Sequence, residues 1–159
     1  MRDPLVIQVV RHGRTRSNRV GLVMGWTDES IEPDQHDAAD AVAARLAAAP
    51  APVRVVSSPL ARARDTAAPL AAALSVDLET DARLGELYQG SWQGLAEPEV
   101  ARRWPLEWSV WRTAPETLDL DGRETLTALY ARVADAFEDL VRSSDAATVA
   151  VFTHDAVVR

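Results

Sequence analysis

The chain contains no cysteine and no lysine. The first absence excludes disulfides, thiolate metal sites and thiol nucleophiles, and leaves the redox compartment undetermined. The second makes every basic side chain other than histidine an arginine, a bias that genome composition explains as well as function does. Positive net charge is missing too: a formal charge of -7 argues against non-specific binding to nucleic acid or an anionic membrane. No apolar stretch reaches the length of a membrane span. The apolar run at residues 5–10 is too short for the core of a secretory leader, and no cleavage site follows it. A cytoplasmic location is therefore expected.

What is present suits one globular domain over residues 1–159, with 47% hydrophobic and 26% charged residues. A domain of this size buries roughly 70% of its unfolded surface. Apolar runs at 5–10, 53–57 and 148–153 read as buried strands, and 76–79 as a short one. Between them lie helical patterns. Residues 34–49 form an alanine-rich helix ended by Pro50 and Pro52, and residues 60–74 a second helix that Pro69 should kink or break. The pattern at 124–142 is the clearest amphipathic helix, with Leu126, Leu129, Val133, Phe137, Leu140 and Val141 on one side. Such alternation predicts a mainly parallel sheet covered by helices. There is no internal repeat. Trp104, Trp108 and Trp111 are spaced as a helical stripe, expected to bury against the sheet; an apolar cap over a pocket is the alternative.

The tripeptide Arg11-His12-Gly13 sits where the first strand runs into a loop, and open α/β sheets bind ligands outside the carboxyl ends of their strands. Arg11 places a cation beside the imidazole, and Gly13 allows a close backbone approach or a sharp turn. Asn18, Arg14, Arg16 and Arg19 follow. The grouping suits an anion, most simply a phosphate; a strand end with a solvated basic loop is the plain alternative. Four further segments add to it: residues 57–67 (SSPLARARDTA), residues 84–94 (LGELYQGSWQG), Gly122-Arg123-Glu124-Thr125, and Thr153-His154-Asp155 at the end of the last strand. Each of His154, Arg62 and Glu86 has an ordinary structural reading when taken singly. His36 matches nothing and reads as solvated surface.

In this order the segments resemble the histidine phosphatase superfamily, the phosphoglycerate mutase-like family, from about residue 5 to the end. The resemblance implies an α/β fold, a three-layer α/β/α sandwich with a mainly parallel central sheet. It implies His12 as the nucleophile that takes a phosphoryl group. Arg11, Arg62 and His154 would hold the phosphoryl oxygens, Gly13 and Asn18 would sit at the same pocket, and Glu86 would protonate the leaving oxygen. Glu124 matches a family glutamate expected to give structural support. The implied activity is hydrolysis of a small phosphomonoester through phosphohistidine, without cofactor or metal. The types of His12, His154 and Glu86 also fit a two-histidine, one-carboxylate metal site, but Arg11 and Arg62 would repel a divalent cation. A mutase is the runner-up, because Met24-Gly25-Trp26-Thr27-Asp28 is similar to a mutase loop. A non-catalytic phospho-ligand binder is the alternative from another class. Oligomeric state is not readable, so a homo-oligomer stays open.

Three departures from the family pattern stand out. Asp155 replaces the usual glycine and is expected to favour the start of the next helix with its carboxylate turned away. Residues 31–35 (IEPDQ) lack a usual glycine. The chain stops at Arg159, where the family normally continues into a helix, so truncation or cover by a partner is expected. Arg14, Arg16 and Arg19 are candidates to reach a second anionic group on the substrate.

Overall fold

The computed structural model describes residues 4–48, 54–144 and 148–159. Its elements follow in the order β1 (Val6–Arg11), α1 (Arg16–Arg19), α2 (His36–Ala48), β2 (Arg54–Ser57), α3 (Ala61–Leu74), β3 (Leu78–Thr80), α4 (Glu97–Arg103), α5 (Pro105–Thr113), α6 (Leu126–Ser143), β4 (Thr148–Thr153) and α7 (Asp155–Val158). The four strands make one parallel sheet in the order β1-β4-β2-β3. β4 lies between β1 and β2 and is buried along its whole length. That position explains its unbroken apolar sequence, since a strand covered on both faces has no polar side to show.

Side chains alternate across the sheet into two cores. Val55, Ala150 and Phe152 meet Ala43 of α2 and Ala67, Leu70 and Ala71 of α3 on one face. Val56, Val149 and Val151 meet Ala136 and Leu140 of α6 on the other. The result is the expected α/β/α sandwich around a parallel sheet. β1 is an edge strand, and Val6 and Val9 on it are exposed. Ile7, Phe137 and Val141 line an open apolar groove between β1 and α6.

Several local expectations shift. α2 begins at His36, preceded by a 3-10 turn at Pro33–Gln35, which replaces the glycine turn missing from the sequence. Ala49, Pro50, Pro52 and Val53 lie outside the described residues. α3 is not broken at Pro69. Proline removes one N–H, and the buried small-residue face of Ala63, Ala67 and Ala71 holds the helix through that loss. α6 starts two residues later than its apolar pattern, because the Thr125 hydroxyl accepts from the Ala128 N–H as an N-cap. Val141 is on its exposed flank rather than in the core.

The tryptophan stripe does not pack on the sheet. Trp104 sits between α4 and α5, not inside one helix. With Trp108 and Trp111 it packs around Trp92, Val100 and Leu118 in a third cluster that contains no strand residue. Local spacing specified an apolar face but not its partner, and the partner is the loop around Trp92. The arrangement matches the alternative of a cap beside a pocket.

Candidate active site

Parallel register brings three strand ends to one place. Arg11 pairs with Thr153 and Ser57 with Phe152, so the residues just beyond β1, β4 and β2 are neighbours: His12, His154 and Ser58. The His12 N–H donates to the Thr153 carbonyl at 3.0 Å, and the Ser58 N–H to the Phe152 carbonyl at 2.9 Å. The two imidazole centroids are 5.1 Å apart. A cavity of about 220 Å³ opens here, with Arg11, His12, Asn18, Arg62 and Glu86 on its wall. Gly13 and His154 are not on that wall.

His12 Nδ1 lies 2.7 Å from the Gly13 carbonyl oxygen. A carbonyl only accepts, so this contact assigns the ring proton to Nδ1 and leaves a lone pair on Nε2. Burial, and then the cations of Arg62 and Arg11, push the His12 pKa down to about 4. The ring is therefore neutral at pH 7. Gly13 acts on the histidine rather than on a ligand. Its N–H donates to Thr66 Oγ1 at 2.9 Å, and a Cβ there would press on Ile31 at 3.2 Å.

Arg62 comes from the first turn of α3 and is 1% exposed. Its two terminal nitrogens donate to the carbonyls of Thr27 at 2.7 Å and Gly25 at 2.8 Å. Nε is buried and unpartnered. Burial lowers its pKa, while Glu86, Asp28 and Glu29 pull it back up. Gly25 serves this clamp with a left-handed backbone (φ +51°), and a Cβ there would collide with Gln93 Oε1. Asn18 caps the loop after His12: its Oδ1 accepts from the Thr15 N–H at 3.2 Å.

Arg11 is exposed, and the Asp155 carboxylate faces it at 3.2 Å. The expectation that Asp155 turns away is overturned. Asp155 lines the cavity, and its other carboxylate oxygen pairs with Arg159 at 2.8 Å. Arg14 and Arg19 are already engaged as well: Glu32 and Asp34 pair with Arg14, and Glu32 pairs with Arg19. These local carboxylates engage Arg14 and Arg19, two of the three arginines expected to reach a second substrate anion.

Glu86 sits in the loop after the 3-10 turn Ala82–Leu84. Burial raises its pKa; the Leu87 and Ala156 N–H groups and Arg62 oppose the shift, and Asp155 adds to it. One oxygen accepts from the Leu87 N–H at 2.8 Å. The loop is held by an element without a sequence motif. Arg132, on α6, donates to the carbonyls of Arg83, Gly85 and Glu86 at 2.6, 2.9 and 2.9 Å. It is fixed by Glu124 at 2.6 Å, which also accepts from the Tyr88 N–H at 3.1 Å. A signal for Arg132 did exist: it lies one turn from Leu129 and from Ala136, on the buried side of α6.

Trp92, Trp108, Trp111 and Gln89 also line the cavity. Arg123 is wedged against this wall, its guanidinium carbon 4.4 Å from the Trp111 ring centre and 5.3 Å from that of Trp92. Burial pulls its pKa down to about 10. Among the described residues no group of three or more His, Asp or Glu side chains is arranged to hold a metal ion, and no helix is long and apolar enough to cross a membrane.

The comparisons with known proteins point the same way. A metal-independent phosphoserine phosphatase of Arabidopsis thaliana is 33% identical over 155 residues, 96% of this chain and 65% of its own length. Phosphoserine phosphatase 1 of Hydrogenobacter thermophilus is 28% identical over 151 residues, 95% of this chain and 71% of that one. The solved structure of Bacillus stearothermophilus YhfR superposes with a TM-score of 0.92 at 24% identity, over 98% of this chain and 76% of that chain. Residues 7–159 match the family model of the histidine phosphatase superfamily (branch 1), and the chain belongs to that family.

Proposed function

We propose that the chain is a metal-independent phosphomonoesterase acting on a small phosphorylated metabolite through a phosphohistidine on His12. The observation that carries this reading is the state of His12. Its Nδ1–H is tied to the Gly13 carbonyl, its Nε2 is unprotonated, and its low pKa keeps it so. A neutral imidazole held in one tautomer is a competent nucleophile.

In the first step Nε2 attacks phosphorus, the N–P bond forms and the ester P–O bond breaks. Glu86 gives its proton to the leaving oxygen, a role that suits a buried carboxyl with a raised pKa. Arg62, Arg11 and His154 hold the equatorial oxygens, with Asn18 at the same pocket. Charge already in place stabilises the spread negative charge without reorganisation. In the second step water attacks phosphorus, Glu86 takes its proton, and the N–P bond breaks to release inorganic phosphate and neutral His12.

Two relatives named as phosphoserine phosphatases support a small phosphomonoester as substrate. The leaving group is seated against Gln89, Trp108 and Trp111, where a second cavity of about 590 Å³ shares Glu86, Gln89 and Trp111. The test is hydrolysis of p-nitrophenyl phosphate and phosphoserine in EDTA, with acid-labile phosphate on the protein trapped by quenching. Turnover and a trapped phosphoenzyme that both vanish in His12→Ala support the reading. Turnover that survives His12→Ala overturns it. Phosphate transfer to a second hydroxyl rather than water makes the chain a mutase, and phosphate binding without turnover makes it a binder.

A further inference from the structure

The imidazole of His154 is fully buried, with one nitrogen engaged and one free. Nε2 lies 2.8 Å from Ser58 Oγ, whereas Nδ1 is buried without a partner. Burial, and then the Arg62 cation, push the His154 pKa down to about 2. The ring is neutral and carries one proton, so its tautomer decides what each nitrogen offers.

The surroundings of Ser58 select between the two tautomers. Ser58 Oγ accepts from the Leu60 N–H at 3.3 Å, and the residue is fully buried. With the proton on Nε2, the hydroxyl would accept from both Leu60 and the ring. Its own hydrogen would then have no acceptor, and the Nδ1 lone pair would be left unmatched as well. With the proton on Nδ1, Leu60 donates to Ser58, Ser58 donates to Nε2, and one donor, Nδ1–H, is left over. A leftover donor beside the His12 ring suits a bound oxyanion; a lone pair there would repel it.

We propose that Ser58 sets the tautomer of His154, so that Nδ1–H is presented as a hydrogen-bond donor to the phosphoryl group on its way to His12. This rests on the reading of His12 as the phosphoryl acceptor and of His154 as one holder of the phosphoryl oxygens; what is new is the part of Ser58. Ser58 touches no substrate; it is a positioning residue acting through His154. His154 keeps its proton through both half-reactions, so no proton balance changes.

The test is nitrogen-15 NMR of the histidine rings, with signals assigned by comparing His36→Gln and His12→Asn variants. In the unaltered protein His154 is expected to show a protonated Nδ1 and an unprotonated Nε2, with the Nδ1–H signal moving on addition of inorganic phosphate. A protonated Nε2, or an Nδ1–H signal that ignores phosphate, overturns the proposal. Ser58→Ala is expected to release the tautomer and weaken inorganic phosphate binding by ~10-fold or more, the usual scale for a hydrogen bond to a charged group. Ser58→Thr keeps the hydroxyl and should keep both the tautomer and most of the affinity. Ser58→Ala with an intact fold and unchanged affinity overturns the proposal. If Ser58→Ala does not fold, the spectrum of the unaltered protein decides. Failure to trap phosphohistidine counts against the His12 reading alone, because tautomer and phosphate binding are read without turnover.

Discussion

The carboxylate of Asp155 stands 3.2 Å from the guanidinium of Arg11, and both residues line the cavity at His12. An anion bound at His12 therefore competes with a side chain of the protein for one of its cations. Asp155→Asn removes that competition. KM for a phosphomonoester should fall by at most about fivefold, because an exposed ion pair is worth roughly 0.2–1 kcal/mol. The same change removes a charge that raises the Glu86 pKa, so the alkaline limb of the rate profile should move to lower pH. A rise in KM would show that Asp155 assists binding instead.

Glu86→Gln separates proton donation from binding. With phosphoserine, kcat should fall about 10²- to 10⁴-fold, the scale of a general acid. With p-nitrophenyl phosphate, whose leaving group needs no proton, the loss should be far smaller. Equal losses on both substrates would place the acid elsewhere. In the unaltered protein the alkaline limb should lie above the ordinary carboxylate range, since burial raises this pKa. The limb should be absent in the variant.

Arg132→Met tests the clamp on the Glu86 loop. Removing one partner of a partly buried pair costs about 3 kcal/mol when the other is left unmatched, and Glu124 would be so left. The melting temperature should fall, and kcat should fall more than KM rises. Glu124→Gln should produce much of the same effect, and the double variant should be well short of the sum. Additive losses would mean the two side chains act separately.

Acid should weaken the fold through His12. Its folded pKa is about 4 against an ordinary 6.5, so between those values the unfolded chain binds a proton that the folded chain refuses. Stability is then full above about pH 6.5 and is lost as pH falls toward 4, by about 3 kcal/mol from this group. His154 has the same sign. Denaturant titrations at pH 7 and pH 5 measure the slope, which should shrink in His12→Gln. An unchanged slope would remove the buried neutral imidazole as its cause.

β4 and the residue at its end were legible because burial on both faces writes itself into a six-residue apolar run, which His154 directly follows; β1 carries a similar run although it is an edge strand with Val6 and Val9 exposed, and His12 directly follows that strand. Arg62 and Glu86 were legible only as members of an ordered set of motifs. The strand order was not, since nothing local says that the last strand enters between the first two. Trp108 and Trp111 showed their spacing but not their partner, which is Trp92 and the guanidinium of Arg123. Arg132 reaches carbonyls 46 to 49 positions away, a distance that periodicity does not record. Asp155 was misjudged because helix-start chemistry and a salt bridge across the cavity compete for the same carboxylate. Arg14 and Arg19 had their counter-charges in Glu32 and Asp34, one loop away.

The place of β4 in the sheet has a further consequence for how the molecule comes into being. β1 and β2 have no contact as ladder neighbours until β4 separates and joins them. On a ribosome His12 is made long before β4, the strand that completes its surroundings. Until β4 is made, a nascent chain carries His12 with an unfilled slot beside it. Such long-range parallel pairing is slow to form and exposes strand edges meanwhile. A formed site at His12 would then report that β4 has been inserted, and defects that slow its insertion would surface as aggregation before they surface as a lost site.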